Sequence, residues 1–421
     1  MSNVGRPTNV LIIGSGGREH ALSWKISQSR LKREIFVAPG NGGTNEFNVP
    51  LKANDLKGLQ QFAEKHQCFT IVGPEAPLAE GIVDLFTKEG LPIFGPTQEQ
   101  ARLETSKVFA KQFMSRNNIP TAKFETFSDS QNALDYASRF NGSVVVKADG
   151  LASGKGVFVC ESVQEARQAI SSILEMKIFG RSGNKIVVEE RLEGKEVSIF
   201  ALCDGKHAFN FGIAKDHKRA YDGDIGPNTG GMGAISPVKD VDDNLIGAIF
   251  KKIVEPTVKA SGFCGFLYFG LMLTDRGPKV LEFNARLGDP ETQSILPRFD
   301  NDLLETLLLL NHGNLELDDF EISWNDLHTC VVVMCAEGYP QEPVTGDAII
   351  GLEKTRDMTD MIVFHSGTVK HNDRYLSSGG RVLSVTGIGK SAVDARRNAY
   401  STVSGISWRG EHHRQDIGTS G

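Results

Sequence analysis

Along the first hundred residues, short apolar runs alternate with glycine-rich polar loops. Val10–Ile13 is such a run and ends at Gly14-Ser15-Gly16-Gly17. Ala21, Leu22, Trp24 and Ile26 then supply the apolar stripe of a helix. Glu34–Ala38 and Phe69–Val72 predict two further strands, each followed by a loop, Pro39-Gly40-Asn41-Gly42-Gly43 and Gly73-Pro74-Glu75. Leu91–Phe94 predicts a shorter strand before Gly95-Pro96. Strand–helix alternation of this kind predicts a doubly wound parallel sheet, whose ligands sit at the carboxyl ends of the strands.

The pattern changes near residue 97. Thr97 and Gln100 have capping-box spacing and predict one helix through Ser115, stopped by Asn117-Asn118-Ile119-Pro120. Val144–Val146 and Gly156–Cys160 predict two strands around a glycine-rich turn, Ser162 and Glu165 cap a helix, and Lys185–Glu190 is strand-like. Residues 196–284 alternate strands with polar loops around one helix near Leu245–Ala260. After about residue 325, strands Cys330–Cys335 and Gly380–Thr386 precede a closing helix Ser391–Val403. The expected fold class is α/β, with α+β character in the middle. The expected domains are 1–104, 105–325 with a flap part at about 121–192, and 326–421.

Composition narrows the function. A chain of 421 residues exceeds one ordinary core, and 40% hydrophobic with 23% charged residues predicts a soluble globular protein. With 46 Lys+Arg against 52 Asp+Glu, a net charge of -6 demotes a general nucleic-acid binder. No apolar run reaches the roughly 18 residues of a membrane span. The polar start Met1–Asn9 has no signal core, so no targeting peptide is expected. The 6 cysteines form no Cys-x-x-Cys pair, which argues against a zinc site or disulfide framework and for a reducing, cytoplasmic setting.

Six segments carry candidate chemistry. Gly14-Ser15-Gly16-Gly17-Arg18-Glu19-His20 departs from a dinucleotide fingerprint, because Glu19 stands at the sixth position and the second strand ends in Val37-Ala38-Pro39 without an acid. A strand-to-helix glycine turn with Arg18 still suits a monophosphate. Lys147-Ala148-Asp149-Gly150-Leu151-Ala152-Ser153-Gly154-Lys155-Gly156 has the wrong spacing for a P-loop and joins two strands; as a glycine flap it brings Lys147 and Lys155 to a triphosphate. The strand ending Glu189-Glu190-Arg191-Leu192, continued to Glu196, suits an adenine and its ribose. In Glu282-Phe283-Asn284-Ala285-Arg286, alternate residues point one way, so Glu282 and Asn284 offer two oxygen ligands to Mg²⁺, with Arg286 on the same face and Asp289 and Glu291 following. The loop Gly226–Gly233 offers backbone donors to a carboxylate, and Asp216-His217-Lys218-Arg219 adds cations. His365-Ser366-Gly367 and His412-His413 are assigned no chemistry.

The first four, a phosphate turn, a two-lysine glycine flap, an acid-ended strand and a Glu-x-Asn strand in that order, resemble the ATP-grasp superfamily. The runs Ile12–Leu22, Ala38–Asn41, Val72–Leu78, Asp216–Arg219, Gly226–Ala234 and Arg286–Glu291 resemble, within it, the phosphoribosylamine–glycine ligase family. The resemblance implies that ATP, glycine and 5-phosphoribosylamine give glycinamide ribonucleotide, ADP and phosphate, a step of purine biosynthesis. It implies Lys107, Lys147 and Lys155 on the ATP phosphates, and Glu189, Glu190, Arg191, Leu192 and Glu196 on adenosine. Lys215, Arg219, Asn228, Arg286 and Asp289 are expected around phosphoryl transfer, with Arg286, Asp289, Lys155 and Arg219 catalytic. Gly16, Gly17, Arg18, Asn41 and Glu75, with Gly230, Gly231, Met232 and Asp289, are expected on the substrates. Glu282 and Asn284 are expected on Mg²⁺, with Mn²⁺ as an alternative ion. A monomer is expected, with no nucleic-acid or membrane partner. Two departures stand out. Gly270 occupies a strand position where many ATP-grasp enzymes carry an acidic metal ligand, and Gln415–Gly421 stops short of the family's usual ending. Another ATP-grasp carboxylate–amine ligase, a non-catalytic nucleotide sensor and a dehydrogenase are the competing readings, in decreasing order.

Overall fold

A computed structural model describes residues 6–152, 156–311, 320–355 and 358–419. β1 (Thr8–Gly14), β2 (Lys32–Pro39), β3 (Cys68–Val72) and β4 (Ile93–Phe94) form a parallel sheet in the order β2-β1-β3-β4. The apolar run of β1 is buried on both faces: Val10 and Ile12 join one core, Leu11 and Ile13 another. The strand order reverses direction at β1 and β3. The loops after those strands, Gly14–Gly17 and Gly73–Glu75, therefore flank the crevice at a topological switch point.

The capping box at Thr97 forms as expected, with Thr97 and Gln100 bonded reciprocally. The helix it opens is not continuous to Ser115. It breaks at Ser106, giving Gln98–Thr105 and Lys107–Arg116. Ser106 accepts from the Phe109 N–H and donates its hydroxyl to Asp149, so a tertiary bond fixes it as cap of the second helix. The break leaves Glu104 just before the corner and Lys107 just after it.

β5 (Phe124–Phe127), β6 (Val144–Ala148), β7 (Val157–Cys160) and β8 (Ile186–Glu190) form an antiparallel sheet ordered β5-β8-β6-β7. Val144, Val146, Ile186 and Val188 pack against the helices Ser130–Ser138 and Val163–Leu174. By strand alternation Lys147 and Glu189 lie on the opposite face.

The largest sheet begins with the hairpin β9 (Lys195–Asp204) and β10 (Ala208–Asp216). A small hairpin follows, β11 (Arg219–Tyr221) and β12 (Ile225–Asn228), and then β13 (Gly233–Ser236). β14 (Cys264–Thr274) and β15 (Gly277–Asn284) extend one side of the sheet, and β16 (His328–Cys335) the other. β17 (Ala348–Ile349) leaves it, and β18 (Met361–His365) lies at its edge. β19 (Thr368–His371) and β20 (Arg374–Ser377) pair with β17, and β21 (Arg381–Gly389) returns to the large sheet. The antiparallel order β15-β14-β9-β10-β13-β16-β21-β18 carries one ladder from the middle of the chain into its last hundred residues. No helix among the described residues is long and apolar enough to cross a membrane.

Candidate active site

β15 forms the floor of the site. Phe283 points into the core against Phe113 and Phe269, and Glu282 and Asn284 take the other face. Lys107, at the start of its helix, lies 3.3 Å from Glu282. Burial opposes charge on Glu282, but Lys107, Lys218 and Lys147 outweigh it and hold its carboxyl down at about 2. Gly270 stands directly opposite Glu282, and a Cβ there would lie 3.3 Å from the Glu282 Cγ. The position where a further acidic ligand was sought is therefore tight. Among the described residues, no cluster of three or more His, Cys, Asp or Glu side chains could hold a metal unaided.

The roof comes from β6 and β8. Lys147 lies 2.6 Å from Glu189 and donates to the carbonyl of Leu281 at 2.9 Å, tying roof to floor. Lys111 closes on the other oxygen of Glu189 and donates to Thr121, which itself bonds Val280. Glu189 is 1% exposed. Burial works against its ionisation, yet the two lysines keep its pKa below the ordinary carboxylate value. Burial also pulls Lys111 down to about 8 against the attraction of Glu189. Glu189, expected on adenosine, is already engaged by protein groups. Its side chain is spent on two lysines and its backbone is paired on both sides, to β5 and β6. Glu190 bonds Lys279 at 2.9 Å and the Lys123 N–H at 3.0 Å, Arg191 pairs with Glu161, and Leu192 follows half-buried. Glu196 closes on Lys218. Arg219 donates to Gly226 at 2.7 Å and stands opposite Asn228, so its guanidinium closes the β11–β12 hairpin. Lys215 lies on β10, half-buried. Lys155 lies outside the described residues.

The far wall is built around Arg286, which bridges Glu75 at 3.3 Å and Glu104 at 2.9 Å. Glu104 also accepts the Ala285 N–H at 2.7 Å, so the residue before the helix break fixes the turn after β15. Burial pushes the Glu104 carboxyl up, more than Arg286 and Lys107 pull it down. Asp289 accepts from Gln293 at 2.8 Å and from the Arg18 N–H at 3.3 Å. Burial disfavours its charge, and Arg381 and Arg18 prevail and lower its pKa.

Several residues expected on the substrates already have protein partners. Arg18 turns inward, donating to Glu19 and to the Leu287 carbonyl at 3.0 Å, so it joins two loops and does not project as a free phosphate ligand. Gly16 donates its N–H to Glu19, and Asp289 holds that of Arg18, so two carboxylates already stand on the turn expected to take a phosphate. Asn41 spends its amide on Ser15, Gly16 and His365, which makes it a brace for that turn. Met232 is fully buried with Val333 and Cys335. Its side chain is enclosed by protein, Gly231 beside it is buried, and Gly230 is exposed on the loop. Gly17 is packed from above, where a Cβ would lie 2.4 Å from Gln293 and 2.6 Å from Ser366.

Glu104, Lys111 and Lys218 were not singled out in the sequence. Lys111 sits four residues after Lys107 on one helix, a spacing that could have found it. Lys218 lay inside the flagged run Asp216–Arg219. Nothing local marks Glu104.

Two antiparallel sheets facing across a lysine-lined crevice, with an acid–amide pair on the floor strand and a parallel-sheet domain at its mouth, define an ATP-grasp protein. Three family models match in succession: Phosphoribosylglycinamide synthetase N domain at 8–104, ATP-grasp (A) domain at 105–292 and C domain at 329–420. Phosphoribosylamine–glycine ligase from Yersinia pestis is 46% identical over 97% of this chain and 98% of its own length. That from Vibrio cholerae is 45% identical over 97% of each. A solved phosphoribosylamine–glycine ligase from Thermotoga maritima superposes with TM-score 0.82 at 33% identity, over 97% of this chain and 99% of the other. A biotin carboxylase from Campylobacter jejuni shares the fold, with TM-score 0.74 at 15% identity over 96% and 93%. The chain belongs to the phosphoribosylamine–glycine ligase family.

Proposed function

We propose that this chain joins glycine to 5-phosphoribosylamine at the expense of ATP, giving glycinamide ribonucleotide, ADP and phosphate in purine biosynthesis. The observation that carries the reading is the facing pair of walls: Lys107 and Lys147 over Glu282 and Asn284, with Arg286 at the end of the same strand. Lys107 and Lys147 neutralise the triphosphate, and the backbone around Glu190, Arg191 and Leu192 receives the adenine. Lys155 is assigned the same neutralising part on its sequence position alone. Glu196, Lys215, Arg219 and Asn228 line the sugar and phosphate end.

Glu282 and Asn284 fit a magnesium or manganese ion. Both are oxygen donors on one face and the carboxylate is held ionised, so these two residues would hold such an ion together with phosphate oxygens of the nucleotide. Such an ion supplies charge neutralisation at the transferring phosphoryl group. The glycine carboxylate oxygen attacks the γ-phosphorus as the bond to ADP breaks. Arg286 is placed to stabilise charge on the moving group. The amine of phosphoribosylamine then attacks the glycyl carbonyl, phosphate leaves and the nitrogen loses a proton. Asp289, Glu75, Gly16, Gly17, Gly230 and Gly231 border the place where these two substrates meet. The free state of all 6 cysteines supports a cytoplasmic setting.

The test is a turnover assay with each substrate omitted in turn. ADP and glycinamide ribonucleotide are expected only with ATP, glycine and phosphoribosylamine together. ADP release indifferent to phosphoribosylamine would assign the chain to another carboxylate–amine ligation.

A further inference from the structure

The sequence reading attached no chemistry to Arg381, at the start of β21 in the C-terminal region. Its Nη1 donates to the carbonyl of Gly230 at 2.6 Å and to that of Asp289 at 2.5 Å. The same nitrogen lies 3.5 Å from the Asp289 carboxylate. Gly230 is held from its other side as well, its N–H donating to the Tyr339 hydroxyl at 2.9 Å. Gly230 also rests on the guanidinium, since a Cβ there would lie 3.0 Å from the Arg381 Cζ. Both polar backbone groups of Gly230 are thus taken by residues that follow β16. A cation from a different part of the chain thus links the glycine-rich loop to the turn after β15.

We propose that Arg381 is a positioning residue for the glycine and amine subsites: it locks the loop containing Gly230 and Gly231 to the loop containing Asp289, and fixes the direction of the Asp289 carboxylate. The inference rests on the ligase reading above. The physical logic is the guanidinium's geometry. One nitrogen with two N–H groups satisfies two carbonyls that belong to separate loops, while the delocalised charge faces the carboxylate. Asp289 is then pinned by Arg381, by Gln293 and by the Arg18 N–H at the head of the helix Gly17–Ser27. All three restraints come from elements remote from the ATP-facing lysines. Loss of the clamp should therefore loosen substrate placement and spare nucleotide binding.

The experiment compares wild type, Arg381→Ala, Arg381→Lys, Asp289→Asn and Arg381→Ala with Asp289→Asn, measuring kcat, the three KM values and the melting temperature. For Arg381→Ala, the KM for glycine or phosphoribosylamine should rise on the order of ten- to a hundredfold, with the KM for ATP nearly unchanged. Arg381→Lys keeps the charge without the planar fork and should recover part of the loss. The losses from Arg381→Ala and Asp289→Asn should not add in the double variant, because Arg381 acts through Asp289. Unchanged constants overturn the proposal. So does a uniform fall in kcat that tracks the melting temperature at constant KM, or an equal rise in the KM for ATP. If wild type itself forms no glycinamide product, the ligase reading fails and takes this inference with it. Normal wild-type turnover with an indifferent Arg381→Ala removes only the inference.

Discussion

The two walls of the crevice handle buried charge in opposite ways. On the lysine side, Lys107, Lys111 and Lys147 meet Glu189 and Glu282, three positive charges against two negative. On the arginine side, Arg286 meets Glu75 and Glu104, one against two. Buried charge is tolerated only when paired, so each wall is balanced except for one charge of its own sign. The first wall is one anion short, and the second is one cation short. Among these ion pairs the contrast supports the proposed division into a nucleotide side and a substrate side.

The largest expected effect breaks the first wall. Glu189→Gln leaves Lys111 and Lys147 facing each other in a sealed space, and chemical denaturation should show a loss of about 3–5 kcal/mol. Stability close to wild type would mean that the lysines do not depend on Glu189. Next comes the floor. Glu282→Ala should lower turnover by roughly a hundredfold or more while the protein stays folded. A near-normal rate removes Glu282 from the reaction.

Acid sharpens the same point. The folded-state pKa of Glu282 is about 2 against an ordinary value of 4.5, so the folded form binds its proton later than the unfolded chain. The stabilisation from its ion pairs is therefore complete above about pH 4.5 and fades as pH falls towards 2, by no more than roughly 3 kcal/mol. Denaturation curves of Glu282→Gln should lack that part of the acid slope. A slope identical to wild type would contradict it.

Smaller effects probe the packing of the loops that carry the substrate-side residues. Gly17→Ala pushes a methyl group towards Gln293 and Ser366 and should cost about 1–3 kcal/mol, read from the denaturation midpoint. A neutral result would show that the two side chains swing aside. Met232→Leu should cost less than about 1.5 kcal/mol and leave every KM unchanged, because Met232 only fills a core. A changed KM for glycine would return it to the substrate site.

Legibility in the sequence follows the same division. Glu282 and Asn284 could be read because a strand's period of two is local and the apolar Phe283 between them fixes the facing. Lys147 could be read because it flanks a glycine-dense segment. The helix break at Ser106 could not, because Asp149, 43 residues later, holds it. Glu104 and Arg381 were invisible for the same reason, their partners lying 181 and 92 residues away along the chain. In Gly230-Gly231-Met232 the motif marked a loop, yet the direction in which a side chain leaves a glycine run is set by tertiary packing. The turn at Gly16 and Gly17 was legible as a turn. That Glu19 and Asp289 occupy it follows from the fold of the whole crevice.

The central claim is that the glycine carboxylate itself attacks the γ-phosphorus between these walls. Glycine labelled with heavy oxygen in its carboxylate tests it directly. The account predicts that each glycinamide ribonucleotide formed is matched by one inorganic phosphate carrying one labelled oxygen. Unlabelled phosphate, with product still forming, would contradict it.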